Sequence, residues 1–417
     1  MAVLVFGCNK NVTFNFDNAI ELAGTAWAAG IHCPSFGKQI TIRVHSRFTC
    51  AHYLCCRIRP KMKFFVFVEI GDFRMKKTLT ALLVGSCFVP VVASAAVDIY
   101  GRIHMSVDYY DNASGADAKD MISVNSNASR IGFRGGDELA HGLKAEWQIE
   151  SGINPQTSGS LWASRNSFVG IVGDFGRVRI GKHDTPFKVI SRTVDFFDDQ
   201  VGDSRNLIKD GGAGFDRRPD NVIVYMSPVM SGAEFAATYE TTATKTAVSA
   251  SAVYKMDRSL YVAAGYEVHA AALGGGAENE SAMRLAASYT LGDIKFAGLY
   301  HHGSNLAGVN DKSRSLFGGG VAYTLGVNTF KAQYYMTSDL DMTPSAPESG
   351  GGVFAVGLDH ALSKATRGYV ALGVSMNDDN TKAFSPANSG HDLGGLAAVA
   401  NKGDGGTNLS VGILHNF

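Results

Sequence analysis

Three features of the sequence predict an all-β fold: a transmembrane antiparallel β-barrel of 16 strands, with a long third loop folded into the lumen. Apolar and polar residues alternate with period two. The alternating segments reach the ~9–11 residues that a tilted strand needs to cross a bilayer. Short turns on one rim are matched by longer polar loops on the other, the signature of a bacterial outer-membrane barrel.

Composition sets the outer bounds. The 417 residues are 45% hydrophobic and 18% charged, with 38 Lys+Arg against 38 Asp+Glu. A neutral total argues against a nucleic-acid binder, and this hydrophobic content argues against wholesale disorder. Beyond the N-terminal region no uncharged apolar run approaches the ~20 residues of a spanning helix. The total conceals a split, because residues 1–95 hold 11 basic and 4 acidic residues and the remainder 27 and 34. All six cysteines (Cys8, Cys33, Cys50, Cys55, Cys56, Cys87) lie in the first part, which leaves the rest free of thiols, as suits passage through an oxidising compartment.

The join accounts for the split. Met75-Lys76-Lys77 is a basic start, Leu79 to Val92 is mostly apolar, and Ala93-Ser94-Ala95 is a small-residue cleavage site. Residues 75–95 are therefore expected to be a signal peptide, 96–417 the barrel, and 1–74 an upstream extension outside the fold. A cytosolic domain before an internal signal anchor is the alternative for 1–74. Pro90 argues against a lone spanning helix, and Val84-Gly85-Ser86-Cys87 matches a lipoprotein box only loosely.

In the first strand Ile99, Ile103, Met105, Val107 and Tyr109 share one face, and Arg102, His104, Ser106 and Asp108 the other. Leu143, Ala145, Trp147 and Ile149 oppose Lys144, Glu146, Gln148 and Glu150. Met283, Leu285 and Tyr289 oppose Arg284 and Ser288, and Leu409, Val411 and Ile413 oppose Asn408 and Ser410. Short turns recur near Gly142, Gly176, Gly232, Asp257, Gly292, Gly326 and Lys364. Seven turns joining two strands each, with the first and last strand added, give the 16. Longer loops fall at about 111–127, 152–162, 270–280, 303–313, 338–351 and 377–406. Closure follows because an open sheet edge in lipid would leave hydrogen bonds unmet, and a ring of this size keeps an aqueous lumen. A soluble all-β sandwich or solenoid is the competing fold; strand length, leader and turn asymmetry argue against it.

One interval is too long. From about His183 to Pro219 runs a loop carrying Phe187, Ile190, Phe196, Phe197 and Leu207 among its acids, with seven acids and four bases between Asp184 and Asp216. A free surface loop has little reason to keep such apolar groups, whereas one folded into the lumen buries them against the wall. Asp195, Asp198, Asp199 and Asp203 are the expected constriction acids. Arg102, Arg130, Arg134, Arg177 and Arg179 share the polar parity of the early strands and form the expected basic wall, so that a transverse field would sort solutes by charge.

Catalysis has no support in the pattern. No nucleophile, base and orienting group recur together. His301 and His302 are strand neighbours that point to opposite faces, so no shared metal is expected. The runs Gly318–Gly320 and Gly350–Gly352 precede no helix, so they form no phosphate loop. No enzyme activity, cofactor or metal is expected.

These residues resemble the general diffusion porins of Gram-negative bacteria, of the beta-proteobacterial type. The resemblance covers Ala96–Phe417 and is carried by Val97-Asp98-Ile99-Tyr100-Gly101-Arg102, by Ser129 to Gly135 with Leu143 to Glu150, by Arg165 to Gly170, by Phe175 to Lys182, and by the terminal Gly412, His415 and Phe417. It implies an outer-membrane homotrimer in contact with lipid, and a third loop that narrows each channel. It further implies passage of ions and small hydrophilic solutes, and a terminal Phe417 read by the barrel-assembly machinery. A substrate-selective channel is the nearest alternative function, and a surface-binding barrel the more distant one. Two departures stand out: Phe196-Phe197-Asp198-Asp199 lies where the family commonly has Pro-Glu-Phe-Gly, and Leu414 stands where Arg is frequent.

Overall fold

The computed structural model describes residues 27–32, 39–44, 97–111, 121–157, 160–208, 214–241, 246–271, 276–381, 384–387, 391 and 402–417. Two compact units divide at Ala93/Ser94. In the first, Trp27–His32 pairs antiparallel with Gln39–Val44. The expected signal peptide lies outside the described residues, as does most of 1–74.

The second unit is a closed antiparallel barrel. Its strands are β1 (Asp98–Asp111), β2 (Met121–Ser126 continued by Arg130–Glu138), β3 (Lys144–Ile153), β4 (Ser160–Leu161 continued by Ser167–Gly173), β5 (Gly176–Lys182), β6 (Val222–Met226), β7 (Ala233–Thr241) and β8 (Thr246–Met256). Then follow β9 (Leu260–His269), β10 (Glu280–Leu291), β11 (Ile294–Ser304), β12 (Arg314–Leu325), β13 (Asn328–Thr337), β14 (Gly351–Ala361), β15 (Thr366–Asn377) and β16 (Gly406–Asn416). Both pieces of β2 pair with β1, and both pieces of β4 with β3, so each is one interrupted strand and the ring has 16. Neighbours in sequence are neighbours in space throughout. The ring closes where β16 pairs with β1, Val411 opposite Val107, and Phe417 exchanges both backbone hydrogen bonds with Gly101 at 2.9 and 3.1 Å.

All seven anticipated short turns join adjacent strands, and positive-φ residues sit at the corners of six, among them Gly142, Gly176, Gly232, Gly292 and Gly326. The faces are inverted relative to a water-soluble sheet. Ile99, Val107, Leu285 and Val411 are 47–57% exposed, while His104, Asp108, Glu267, His269 and Ser410 are at most 1% exposed. In water each such outward side chain would forgo roughly 1.5–3 kcal/mol of burial; against lipid tails there is nothing to forgo. Among the described residues no helix is long and apolar enough to cross a membrane. The chain spans with strands.

Candidate functional site

The segment between β5 and β6 carries the helix α1 (Pro186–Val194). Thr185 caps it, its Oγ1 accepting from the Lys188 amide at 3.2 Å, and Pro186 occupies the first turn, where a missing N–H is harmless. Phe187, Ile190 and Val194 share its buried side while Val189 is exposed. Ile190 and Val194 pack with Ala263, Ala286 and Leu299 of β9, β10 and β11. Further along the loop, Phe197 and Val201 pack with Ala355, Tyr369 and Ala371 of β14 and β15.

Small wall residues make room for this loop. A Cβ on Gly265 would lie 2.5 Å from Ile190 Cδ1, one on Gly320 2.8 Å from Phe196 Cδ2, and one on Gly357 3.0 Å from Phe197 Cε1. Gly320 ends one of the glycine runs noted above. Close packing against a backbone is its role, as glycine in a strand often signals.

Polar contacts pin the tip. The Lys331 ammonium on β13 donates to the Phe196 carbonyl at 3.0 Å and to Gln200 Oε1 at 2.5 Å, and lies 3.1 Å from Asp359. Gln333, two residues on and therefore on the same face, accepts from the Phe196 amide at 3.0 Å and donates to Asp195 Oδ1 at 2.8 Å. Asp195 also accepts from the Phe197 and Ser204 amides, both at 2.8 Å. It is thus a brace within the loop. Asp203 is fully buried and caps the short helical turn Ser204–Leu207, its side chain accepting from the Arg205 amide at 2.9 Å. Asp198 and Asp199 face arginines of the loop itself: Arg192 Nη2 is 2.7 Å from Asp198, and Arg205 Nη2 is 2.9 Å from Asp199. Burial opposes ionisation of Asp199, but the Arg205 and Arg192 guanidiniums outweigh it and hold its pKa down to about 2. Burial likewise opposes ionisation of Asp184, and Lys188 with Arg218 hold it well below the usual carboxylate range.

The five wall arginines, expected as one surface, fall into three groups. Arg102 reaches the loop, 3.8 Å from Asp199, and Arg130 lies near it beside Glu150 at 3.9 Å. Arg179 makes a bidentate pair with Glu146 at 2.8 and 3.2 Å, and Arg177 stands 3.8 Å from the same carboxylate. Arg134 turns instead to Asp98 at 2.6 Å, its register partner on β1, with both side chains more than half exposed. Strand parity assigns each residue a face but not a height along the strand, and height decides which carboxylate it meets.

The Gram-negative porin family model matches residues 78–380. The chain belongs to that family. Outer membrane porin protein 32 of Delftia acidovorans is 28% identical over 362 residues, covering 82% of this chain and all of that one. Major outer membrane protein P.IB of Neisseria gonorrhoeae is 36% identical over 126 residues; that alignment spans 29% of this chain and only 36% of P.IB. Among solved structures, the anion-selective porin from Comamonas acidovorans superposes with a TM-score of 0.66 at 25% identity, over 78% of this chain and all of that one. The fold and the family together make this porin a multi-pass β-barrel of the Gram-negative outer membrane.

Several charged groups at the porin's inner face escaped the sequence reading. Arg165 lies in the interruption of β4 and pairs with Glu150 at 2.5 Å, and Arg367 on β15 pairs with Asp359 at 3.2 Å. Arg192 and Arg205 were visible only as members of the loop's base count. Arg192 lies in the last turn of α1, six residues before Asp198, a separation that no helical or strand period marks.

Proposed function

We propose that this porin is a water-filled channel for passive diffusion of ions and small hydrophilic solutes, with residues 183–208 and 214–219 lying in the lumen and narrowing it. The observation that carries this reading is the polar inner face of a closed ring, joined to a bed of glycine and alanine under the apolar residues of that loop. A plain surface loop would need no such bed. Arg102, Arg130 and Arg165 supply the basic side of the passage, and the Asp198–Asp199 region supplies the loop side.

The ion preference we assign is for anions. Glu150 is shared by Arg130 and Arg165, Glu146 by Arg177 and Arg179, Asp184 by Lys188 and Arg218, and Asp359 by Lys331 and Arg367. In each case two cations stand over one carboxylate, which leaves positive charge along the path. Arg217, between Glu240 and Glu267, is a reverse case, as is the loop tip, where Arg192 and Arg205 face three carboxylates. A preference for anions accords with the selectivity named for the Comamonas porin.

The family resemblance supports three further assignments: a homotrimer in lipid, a mature start near Ala96 after removal of residues 75–95, and recognition of Phe417 by the barrel-assembly machinery. Planar-bilayer recording of the purified protein tests the channel. Large openings in groups of three, with a zero-current potential of anion sign in a KCl gradient, are expected. Absence of conductance from folded trimers would favour the surface-binding reading, and block by one solute class at low concentration would favour a substrate-selective channel.

A further inference from the structure

The loop carries its own counter-charges. The carboxylates of Asp198, Asp199 and Asp203 bring oxygens within 4.8 Å of one another, a spacing at which like charges repel strongly. Arg192 closes on them from α1: its Nε is 3.1 Å from both Asp198 oxygens, and its Nη2 is 2.7 Å from Asp198 Oδ2 and 3.3 Å from Asp199 Oδ2. Arg205 closes from the following turn. Its Nη2 is 3.0 Å from Asp198 Oδ1 and 2.9 Å from Asp199 Oδ1, and its Nε is 2.9 Å from Asp203 Oδ1. The wall arginine, Arg102, is only the third partner of Asp199, at 3.8 Å.

We infer that Arg192 and Arg205 are specificity-determining residues: they offset two of the three carboxylates at the loop tip, with Arg102 beside Asp199 as the third cation, so that a loop of acidic composition presents little net charge and the remaining wall arginines dominate the field. This rests on the channel reading above and names the residues that set its preference. Exposure fits the division of labour. Asp198 and Arg192 are each 22% exposed and therefore meet the passage, while Asp199 at 3% and Arg205 at 12% lie behind them. Removing Arg192 would uncover Asp198 where a permeating ion passes.

The test is the zero-current potential of reconstituted trimers in a KCl gradient, read first on the wild type. A wild type that does not conduct overturns the channel reading itself. With a conducting wild type, Arg192→Gln is expected to lower the chloride-to-potassium permeability ratio by about threefold, the scale of one unit charge in a partly screened passage. Arg192→Lys should keep the wild-type ratio, and the double substitution Arg192→Gln with Asp198→Asn should restore it. A purely structural role for Arg192 predicts no rescue by that second change. An unchanged potential in Arg192→Gln, or a double variant that stays cation-shifted, overturns the inference. Arg205→Gln should shift the ratio in the same direction. If that variant does not assemble, the Arg192 series alone decides.

Discussion

Two sides of the inner wall, β1–β5 and β9–β15, follow opposite rules. On β9–β15 small residues, Gly265, Ala263, Ala286, Gly320, Ala355 and Gly357, lie under the loop's apolar groups, and Lys331 and Gln333 pin its tip. On β1–β5 they are long and charged, Arg102, Arg130, Glu146, Glu150 and Arg179, in partly exposed pairs. The interruptions in β2 and β4 also fall on that side, and the second places Arg165 beside Glu150. The first side anchors the loop by packing. In the proposed channel the second supplies the charge, so position and selectivity would fall to different residues.

Breaking the anchor should have the largest effect. Gly265→Leu drives a side chain into Ile190 and Phe187, and overpacking of this kind costs about 1–3 kcal/mol or more. We expect α1 to leave its bed, seen as a rise in single-channel conductance and as new protease cleavage between residues 183 and 221. Lys331→Met is the next test. It removes the donor to Phe196 and Gln200 and leaves Asp359 to Arg367 alone, a loss of about 2 kcal/mol in a partly buried network. Urea unfolding in vesicles should show that loss, with greater open-channel noise from a loosened tip. A Lys331→Met channel as quiet as the wild type would mean that packing alone holds the loop.

The architecture was legible because its signals are local. Period-two alternation, tight turns and an even strand count need no knowledge of what lies across the ring, and all seven short turns fell at their expected places. The loop's apolar residues announced that it must be covered. What covers it was not legible. Gly265, Gly320 and Gly357 stand far from Phe187, Phe196 and Phe197 in sequence, and only closure of the ring brings them together. The charged site was half legible for the same reason. Parity gave Arg102 and Arg134 the same face, but the stagger between strands sent one toward Asp199 and the other to Asp98.

Acid should separate the two sides further. Asp199 has a folded pKa of about 2 against roughly 3.9 when unfolded. A depressed carboxylate contributes stability that is fully present above the unfolded value and is lost as pH falls through the folded one. The contribution of Asp199 should therefore be intact above about pH 4 and disappear toward pH 2. In Asp199→Asn that acid-dependent part of the unfolding free energy should vanish. If the variant keeps the wild-type acid slope, the slope arises from other carboxylates.

The smallest effect is expected on the charged side. Arg177 is 41% exposed and 3.8 Å from Glu146, which Arg179 already engages in a bidentate pair. Arg177→Gln should change unfolding stability by no more than about 0.5 kcal/mol, as is usual for an exposed pair. On the proposed channel reading it removes a positive charge from the inner face all the same, so the zero-current potential should move slightly toward potassium, less than in Arg192→Gln. A stability loss comparable to that of Lys331→Met would mean that the charged side also anchors the fold, and the division between packing and field would not hold.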